Sequence, residues 1–363
     1  MTRFLLALAL AFGLAASAQA QNRATSSQTG NHNASDTQQS GSDNASTITQ
    51  AGNYNTADVT QTDEDAVSTV TQTGIGTTAT TMNQVTVVQS DRRNSDSDVV
   101  QTGADNRATV TQRASNSDSF VGQAGVGNTA TVLQGNVSDD QSSRVTQDGN
   151  GNSADVQQGV DGGSVLDNDN VSEVTQLGTG NTAVVRQISE LNTSTITQDG
   201  SQNEARVESQ GDGRGSTSNQ DNVSVIEQVG SLNVASVNQP GQDAVYDVYQ
   251  AGVGNRSTAE QEGSGNRVAI RQTGDSNQST VSQSGDDNVS GPLVPGTIDA
   301  ATGGIVQDGN LHTATLTQGG ADNLSYIGQF GTGHTATVQQ LGTDGTSTVV
   351  QDGDANTATV TQQ

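Results

Sequence analysis

An eleven-residue frame recurs along most of the chain, and this period constrains the fold more than any other feature. It is complete at residues 50–61, where Gln is followed by Gly at the second place, Asn at the fifth, Ala at the seventh, Val at the ninth and Gln again at the eleventh. The same frame returns at residues 101–112, 123–134, 176–187 and 351–362. A fixed period of this kind predicts a stacked repeat architecture.

The Gln, Gly, Asn and Ala places of these five copies are the candidate structural residues of the protein, because each would line up with its equivalents in a stack. They are Gln50, Gly52, Asn55, Ala57, Gln61, Gln101, Gly103, Asn106, Ala108, Gln112, Gln123, Gly125, Asn128, Ala130, Gln134, Gln176, Gly178, Asn181, Ala183, Gln187, Gln351, Gly353, Asn356, Ala358 and Gln362.

The Asn, Ala, Val and Gln places lie two residues apart, which puts them on one face of a β-strand. Residues between them, such as Thr129 and Thr131, fall on the other face. Val, Ile and Thr favour strands, and the alternation is strict, so each frame predicts a strand. Gly and Asn tolerate positive φ, so the residues from the Gly to the Asn are expected to form the turn.

The repeating unit is predicted to be about 22 residues, because the Ala place alternates with Ser, as in Ala108, Ser119 and Ala130. The predicted fold is an all-β solenoid of stacked strand–turn–strand coils with two facing parallel sheets. Stacking at about 4.8 Å would place Val over Val and Gln over Gln, so that side-chain amides form ladders. Such ladders are required, because a buried amide is costly unless it is hydrogen-bonded.

Three segments are expected along the chain. Residues 1–20 combine an early charge, an apolar run and an Ala18-Gln19-Ala20 cleavage site, which indicates a secretory signal peptide cut after Ala20. Residues 21–27 form a short N-terminal segment, and residues 28–363 form the solenoid. Irregular insertions are expected near 80–98, 135–146, 159–175, 211–220 and 291–304.

Composition narrows the class of protein further. Only 29% of the residues are hydrophobic and 2% aromatic, which argues against an ordinary globular core of this size. The formal charge of −26, with 13 basic against 39 acidic residues, argues against nucleic acid as a partner, because such binding depends on Lys and Arg. There is no Cys, so disulfides cannot stabilise an exported chain.

The frame Gln-x-Gly-x-x-Asn-x-Ala-x-Val-x-Gln resembles the curlin repeat, and the resemblance covers most of residues 28–363. It implies a β-solenoid subunit that is exported through the periplasm, where chaperones hold it, and that crosses the outer membrane by a dedicated pore. It further implies self-assembly, with copies of itself and other curlin-like subunits, into adhesive curli-type amyloid fibres of a biofilm at the cell surface.

No catalytic group, cofactor site or metal site is predicted. The acidic clusters Asp63-Glu64-Asp65 and Asp139-Asp140 fit solvated turns better than a calcium site or an acid–base pair, and Arg92-Arg93 fits an exposed loop. His312 and His334 both occupy the Asn place, 22 residues apart, and should stack on neighbouring coils. Either they simply replace Asn, or they have a metal or pH role.

The sequence suggests three functions. The leading one is a structural fibre subunit, whose assembly should be faster as the pH approaches the pI of about 4.1, because charge repulsion falls. The second is a monomeric ice-binding or surface-binding solenoid, suggested by outward Thr-x-Thr rows but opposed by Asp58, Arg186 and Arg206 within those rows. The third, a polysaccharide-degrading β-helix enzyme, lacks candidate acids on a common face.

Overall fold

The structure, a computed structural model, describes residues 21–62, 64–75, 82–90, 93–135, 140–159, 169–188, 190–209, 221–290 and 303–363. Within these ranges every extended regular element is a β-strand. The same ranges contain no helix that is long and apolar enough to cross a membrane. The predicted signal peptide with Ala18 and Ala20, and the side chains of Asp63, Arg92 and Asp139, lie outside the described residues.

Two long parallel sheets face each other, and the chain alternates between them. We call the first the serine sheet, after the Ser residues that it turns towards the interior. Its strands are β1 Arg23–Thr29, β3 Ala45–Asn53, β5 Val67–Ile75, β7 Asp96–Ala104, β9 Asp118–Val126, β11 Ser142–Asn150, β13 Val171–Thr179, β15 Thr193–Ser201, β17 Val223–Ser231, β19 Val245–Val253, β21 Arg267–Thr273, β23 Val289–Ser290, β24 Gly304–Asn310, β26 Leu324–Thr332 and β28 Thr346–Asp354.

We call the second the alanine sheet, because Ala takes the corresponding inward place in most of its strands. Its strands are β2 Ala34–Gln39, β4 Asn55–Gln61, β6 Asn83–Gln89, β8 Arg107–Gln112, β10 Thr129–Gln134, β12 Ser153–Gln158, β14 Thr182–Gln187, β16 Glu204–Ser209, β18 Val234–Gln239, β20 Arg256–Glu262, β22 Gln278–Asp286, β25 Thr313–Ala321, β27 Thr335–Thr343 and β29 Thr357–Gln362.

The register places equivalent residues of successive coils beside one another. Gln101 pairs with Gln123 in the serine sheet, and Ala108 pairs with Ala130 in the alanine sheet. One strand of each sheet makes one coil, usually 22 residues long. The predicted β-solenoid with two parallel sheets is therefore confirmed.

The core consists of two layers of side chains, one from the inward face of each sheet. Val110 and Val132 of the alanine sheet and Val121 of the serine sheet are fully buried. The inward place two residues before each of these Val side chains holds Ala or Ser, so the two sheets can approach closely there. A single coil buries little apolar surface, and stability therefore has to come from many coils in series.

The structure differs from the sequence-based expectation in the position of the glycine. Gly125 and its equivalents were expected to belong to the turn, but Gly125 lies inside β9, one residue before that strand ends. The connection to β10 is correspondingly only two residues long. The strand can continue because glycine adopts a φ of 106° there and so begins to bend the chain before pairing stops.

Two irregular stretches also contain regular structure. Within 80–98, β6 takes a full place in the alanine sheet between β4 and β8. Near 291–304, β23 pairs with the start of β21 and β24 pairs with its end, so the extra residues interrupt one strand position of the serine sheet. The eleven-residue spacing of the Gln residues does not reveal β6 or the division between β23 and β24, because it measures distance along the chain and not strand pairing.

Candidate functional site

The Gln side chains of the serine sheet form one unbroken ladder along the column. Nε2 of Gln101 donates to Oε1 of Gln123 at 2.8 Å, and the same bond joins every neighbouring pair from Gln28 to Gln351. Gln101 and Gln123 are almost fully buried. The donor always lies in the earlier coil, so the ladder has a direction.

The second N–H of each amide ties the two sheets together. Nε2 of Gln123 also donates to the backbone oxygen of Arg107, at the start of a strand in the opposite sheet, at 3.0 Å. Nε2 of Gln112 reaches back in the same way to the backbone oxygen of Asp96 at 2.8 Å. Each buried amide is therefore satisfied within its own ladder and across the core, as burial of a polar group requires.

The alanine sheet carries a parallel ladder with one interruption. It runs from Gln39 to Gln187 and from Gln239 to Gln362. Ser209 occupies the position between these two runs. Gln187 donates to the Ser194 hydroxyl instead, and Ser209 donates to Oε1 of Gln239 at 3.2 Å.

The Asn row uses the backbone rather than a chain of side-chain amides alone. Oδ1 of Asn128 accepts the backbone N–H of Asn152 in the next coil at 3.0 Å. Nδ2 of Asn128 donates to the oxygens of Ala124 and Gly149, each at 2.9 Å. One Asn side chain therefore satisfies three backbone groups where the chain turns between sheets.

Glycine is required beside this row because successive coils approach closely. A Cβ added to Gly125 would lie 2.0 Å from the oxygen of Gly149. The same conflict recurs at Gly52, Gly103 and Gly178 with the glycine of the following coil. The Gly and Asn places of the sequence frame thus act together in one turn.

The two ends of the column present complementary hydrogen-bonding groups. At the N-terminal end, Oε1 of Gln28 and of Gln39 accepts no ladder bond from an earlier coil within the described residues. At the C-terminal end, Gln351 and Gln362 donate one N–H to the backbone oxygens of Thr335 and Thr346, respectively, and within the described residues no following coil supplies a Gln oxygen for the other.

The end strands are also open to solvent. All seven residues of β1 are exposed, and β29 alternates between exposed and half-buried residues. Of the predicted structural residues, those of the copy at 351–362 therefore lie at an open end, and Gly353 meets no atom within 4 Å of an added Cβ. The copies at 50–61, 101–112, 123–134 and 176–187 lie within the column.

Among the other candidate residues, Glu64 forms an exposed ion pair with Arg93 at 2.7 Å. Within the described ranges no group of three or more His, Asp or Glu side chains could hold a metal ion. His312 and His334 stack with parallel rings, their centroids 5.0 Å apart. Sequence reasoning did not find the break at Ser209, although the missing Gln at that place was a readable signal.

Comparison with protein-family models agrees with this geometry. The curlin associated repeat matches residues 33–62, 93–125, 247–274, 266–289, 299–331 and 312–342. The chain contains curlin associated repeats. Curlin repeats belong to structural, secreted fibre subunits rather than to enzymes. A search among curated proteins finds no match to the chain.

The matched segments lie in the N-terminal and C-terminal thirds of the column. The match at 299–331 includes the row position of His312, and the match at 312–342 includes His334. The repeat frame is therefore kept where an imidazole replaces the Asn amide.

Proposed function

We propose that the protein is a structural subunit of extracellular curli-like fibres, which grow when the C-terminal end coil of one copy stacks on the N-terminal end coil of the next. The observation that carries this proposal is the direction of the Gln ladders. One end offers amide N–H donors at Gln351 and Gln362, and the other offers oxygen acceptors at Gln28 and Gln39.

The Asn row supports the same orientation with opposite polarity. In the column, each backbone N–H of the row donates to the Oδ1 of the preceding coil, as in Asn128 to Asn106 at 3.1 Å. A stacked second copy would bring its Asn33 N–H to the Oδ1 of Asn356. If two N-terminal ends met, Gln oxygens would face Gln oxygens in the ladders, and backbone N–H groups would face N–H groups in the Asn row. If two C-terminal ends met, Gln N–H groups would face each other, and so would Asn oxygens.

The register of the junction follows from the coil period. A second copy in the next coil position would place its Gln28 beside Gln351 and its Gln39 beside Gln362. Such a head-to-tail contact uses two different surfaces and does not close on itself, so it generates a filament rather than a dimer. Strand pairing and the amide ladders would continue across every junction, as in cross-β fibres.

The route to the cell surface is proposed from the family. Export through the periplasm, chaperones, an outer-membrane pore and a role in adhesion and biofilm matrix fit a curlin-repeat protein with a predicted signal peptide. Copies of the same chain and other curlin-like subunits are the proposed partners, and no nucleic acid is expected, because the net charge is −26.

The test is growth of fibres by protein that lacks residues 1–20. We expect seeded growth that Thioflavin T detects, unbranched fibres in electron microscopy, and a diffraction reflection at about 4.8 Å along the fibre axis. A protein that stays monomeric in the presence of its own seeds and gives no such reflection would reject the proposal.

A matched pair of variants tests the polarity of the junction. Gln362→Glu replaces an amide donor at the C-terminal end by a carboxylate that would face the Gln39 oxygen of the incoming copy. Thr361→Glu adds the same charge one residue away, on the exposed outward face. We expect the first variant to slow elongation at least about tenfold, since a charge there lacks a partner, and the second to change it little.

A second candidate function is that of a monomeric ice-binding or surface-binding solenoid. It is favoured by the last three strands of the alanine sheet. The nine outward places that precede the ladder Gln of these strands hold eight Thr, one Gln and no charge: Thr313, Thr315, Thr317, Thr335, Thr337, Gln339, Thr357, Thr359 and Thr361. Thermal hysteresis by the monomer, abolished by Thr337→Asp but not by Ser153→Asp, would support it over the fibre proposal.

A further inference from the structure

Two histidines in the Asn row reproduce the hydrogen bond that an Asn side chain there accepts from the next coil. Nδ1 of His312 accepts the backbone N–H of His334 at 3.2 Å, and Nδ1 of His334 accepts that of Asn356 at 3.1 Å. Nε2 of His334 lies 2.9 Å from the oxygen of Phe330, four residues earlier. In both rings Nδ1 thus takes the place of the Asn Oδ1, and in His334 Nε2 also takes the place of Nδ2.

These contacts fix the protonation state of both rings. A backbone N–H can only donate, so each Nδ1 must offer its lone pair and the ring proton must lie on Nε2. Protonation of Nδ1 would aim one N–H at another and break a bond between coils. An Asn amide takes up no proton in this range of pH, so the other coils of the row lack this sensitivity.

The surroundings also oppose a charge on the pair. Both rings are fully buried, and two imidazolium ions would lie with their centroids 5.0 Å apart. Burial lowers the pKa of His312 below its ordinary value, and the neighbouring His334 lowers it further. Hydrogen bonding to the backbone of Asp308 and Gly331 and the charge of the Asp308 carboxylate raise the pKa, but they do not outweigh the burial.

Charged groups near the pair are few and exposed. Asp308 lies on β24, four residues before His312. Asp352 and Asp354 lie on β28, in the coil that follows His334, and Asp275 lies in the turn of the coil that precedes His312. The strands that follow the two histidines, β25 and β27, carry no charged residue. Water screens the exposed carboxylates, so they compensate little for a buried positive charge.

We propose that the stacked His312 and His334 make residues 304–362 an acid-sensitive end of the column, which is locked at neutral pH and loosens when the imidazoles take up protons. The pKa of His312 is lower in the folded state, so the stability that its neutral form gives is complete above the unfolded value of about 6.5 and is lost as the pH falls through the folded value. Most carboxylates still carry their charge at pH 5.5, so mild acid acts on His312 first.

A consequence for assembly, which rests on the proposed function, is that mild acid would weaken the donor end of each subunit before it relieves the overall charge repulsion. The same coils carry Gln351 and Gln362, the groups proposed to receive the next copy. Growth at that end would therefore be favoured near neutral pH, and acceleration by acid would begin only when the carboxylates titrate.

Hydrogen–deuterium exchange of the soluble monomer tests the lock without any fibre. Protection factors, corrected for the intrinsic exchange rate at each pH, are compared at pH 7.5 and 5.5 for residues 304–362 and for the regular coils at 101–134. We expect mild acid to reduce protection at least about tenfold in 304–362 and to leave 101–134 unchanged.

Two variants complete the test. His312→Asn/His334→Asn restores the usual residue of the row and should keep full protection at pH 5.5. Asn106→His/Asn128→His should transfer the acid sensitivity to 101–134. Equal loss in the wild type and the double Asn variant, or equal loss in both segments of the wild type, would overturn the proposal. Failure to form fibres would leave this result intact and would count only against the proposed function.

Discussion

The two edges of the solenoid follow different rules. At the glycine edge, where the chain passes from the serine sheet to the alanine sheet, glycine stands two residues after Gln in every coil, from Gly30 to Gly353. At the insertion edge, where the chain passes from the alanine sheet back to the serine sheet, the position two residues after Gln holds other residues in several coils, such as Ala114. The distance along the chain from one ladder position to the next shows the same contrast. Across the glycine edge this distance is eleven residues, except between Gln72 and Gln89, whereas across the insertion edge it reaches twenty-four residues, between Gln283 and Gln307.

The difference follows from how tightly successive turns stack. At the glycine edge, Gly125 approaches the oxygen of Gly149, and Asn128 bonds to three backbone groups. At the insertion edge of the same coil, Ser117 takes the Asn place and its hydroxyl makes one long bond, to the oxygen of Ser115, at 3.3 Å. In this coil the glycine edge therefore has more bonds than the insertion edge. In later coils the insertion edge makes the same contacts, because Gly285 approaches the oxygen of Gly320 and Asn288 donates to the oxygens of Ser284 and Gly320.

The largest expected effect is at the glycine edge. Gly125→Ala should destabilise its coil by about 4 kcal/mol or more, because the new Cβ would meet the Gly149 oxygen at 2.0 Å and the residue has a φ of 106°. Thermal melting followed by circular dichroism, with hydrogen exchange of residues 101–158, measures this loss.

The control separates close approach from backbone strain. Gly151 has a φ of 64° and open space around its Cβ position, so Gly151→Ala should cost only about 1 kcal/mol. If the two variants were equally stable, the contact between successive glycines would not be what distinguishes this edge.

The Asn place gives the next largest effect. Asn128→Ala leaves the Asn152 N–H and two carbonyl oxygens without their partner and should cost about 3 kcal/mol. Ser117→Ala, at the same place on the insertion edge, should cost less than about 1 kcal/mol. Exchange rates of neighbouring amides in both variants give the comparison, and similar costs would remove the distinction between the edges.

A repair should stabilise the insertion side of the column. Ser209→Gln would supply the amide that is missing between Gln187 and Gln239, and we expect a gain of about 1 kcal/mol from the restored ladder. The matched change Thr182→Gln adds the same side chain on the outward face and should be neutral. An unchanged melting temperature for Ser209→Gln would mean that the serine hydroxyls already compensate for the break.

The smallest effect concerns charge at the strand starts that follow the insertion edge. Asp96 and Asp118 pair directly in register, and burial, together with Asp118 and Asp98, raises the pKa of Asp96. Because the folded pKa is the higher one, the charged form opposes folding and stability rises as the pH falls through it. Asp96→Asn should therefore stabilise by a few tenths of a kcal/mol at pH 7.

The pH dependence checks the sign of that effect. Because its pKa is raised in the folded state, the carboxyl of Asp96 loses its charge there before it does in the unfolded chain as the pH falls. In acid below the ordinary Asp pKa of about 3.9, the wild type and Asp96→Asn should therefore have nearly the same stability. Melting temperatures at pH 7 and pH 3.5 measure the difference. An advantage of the variant that persists at pH 3.5 would point to packing or hydrogen bonding rather than to charge.

Some of this site was readable from residue spacing and some was not. The pairing of Gln101 with Gln123 follows from the period, because a strand has two faces and a stack aligns equal positions. The contact between His312 and His334 follows in the same way. The direction of the ladders does not, because an amide can donate towards either neighbour until the backbone around it fixes its second bond.

The sequence by itself determined the coil length, the inward and outward residues and the stacking of equal side chains, because each depends only on the period-two geometry of a strand. Only the tertiary structure decided that Gly125 belongs to a strand, that Asn128 bonds to backbone groups of the next coil, and that imidazole Nδ1 atoms take over this role at His312 and His334. These features depend on distances between coils, which arise from packing and leave no period in the chain.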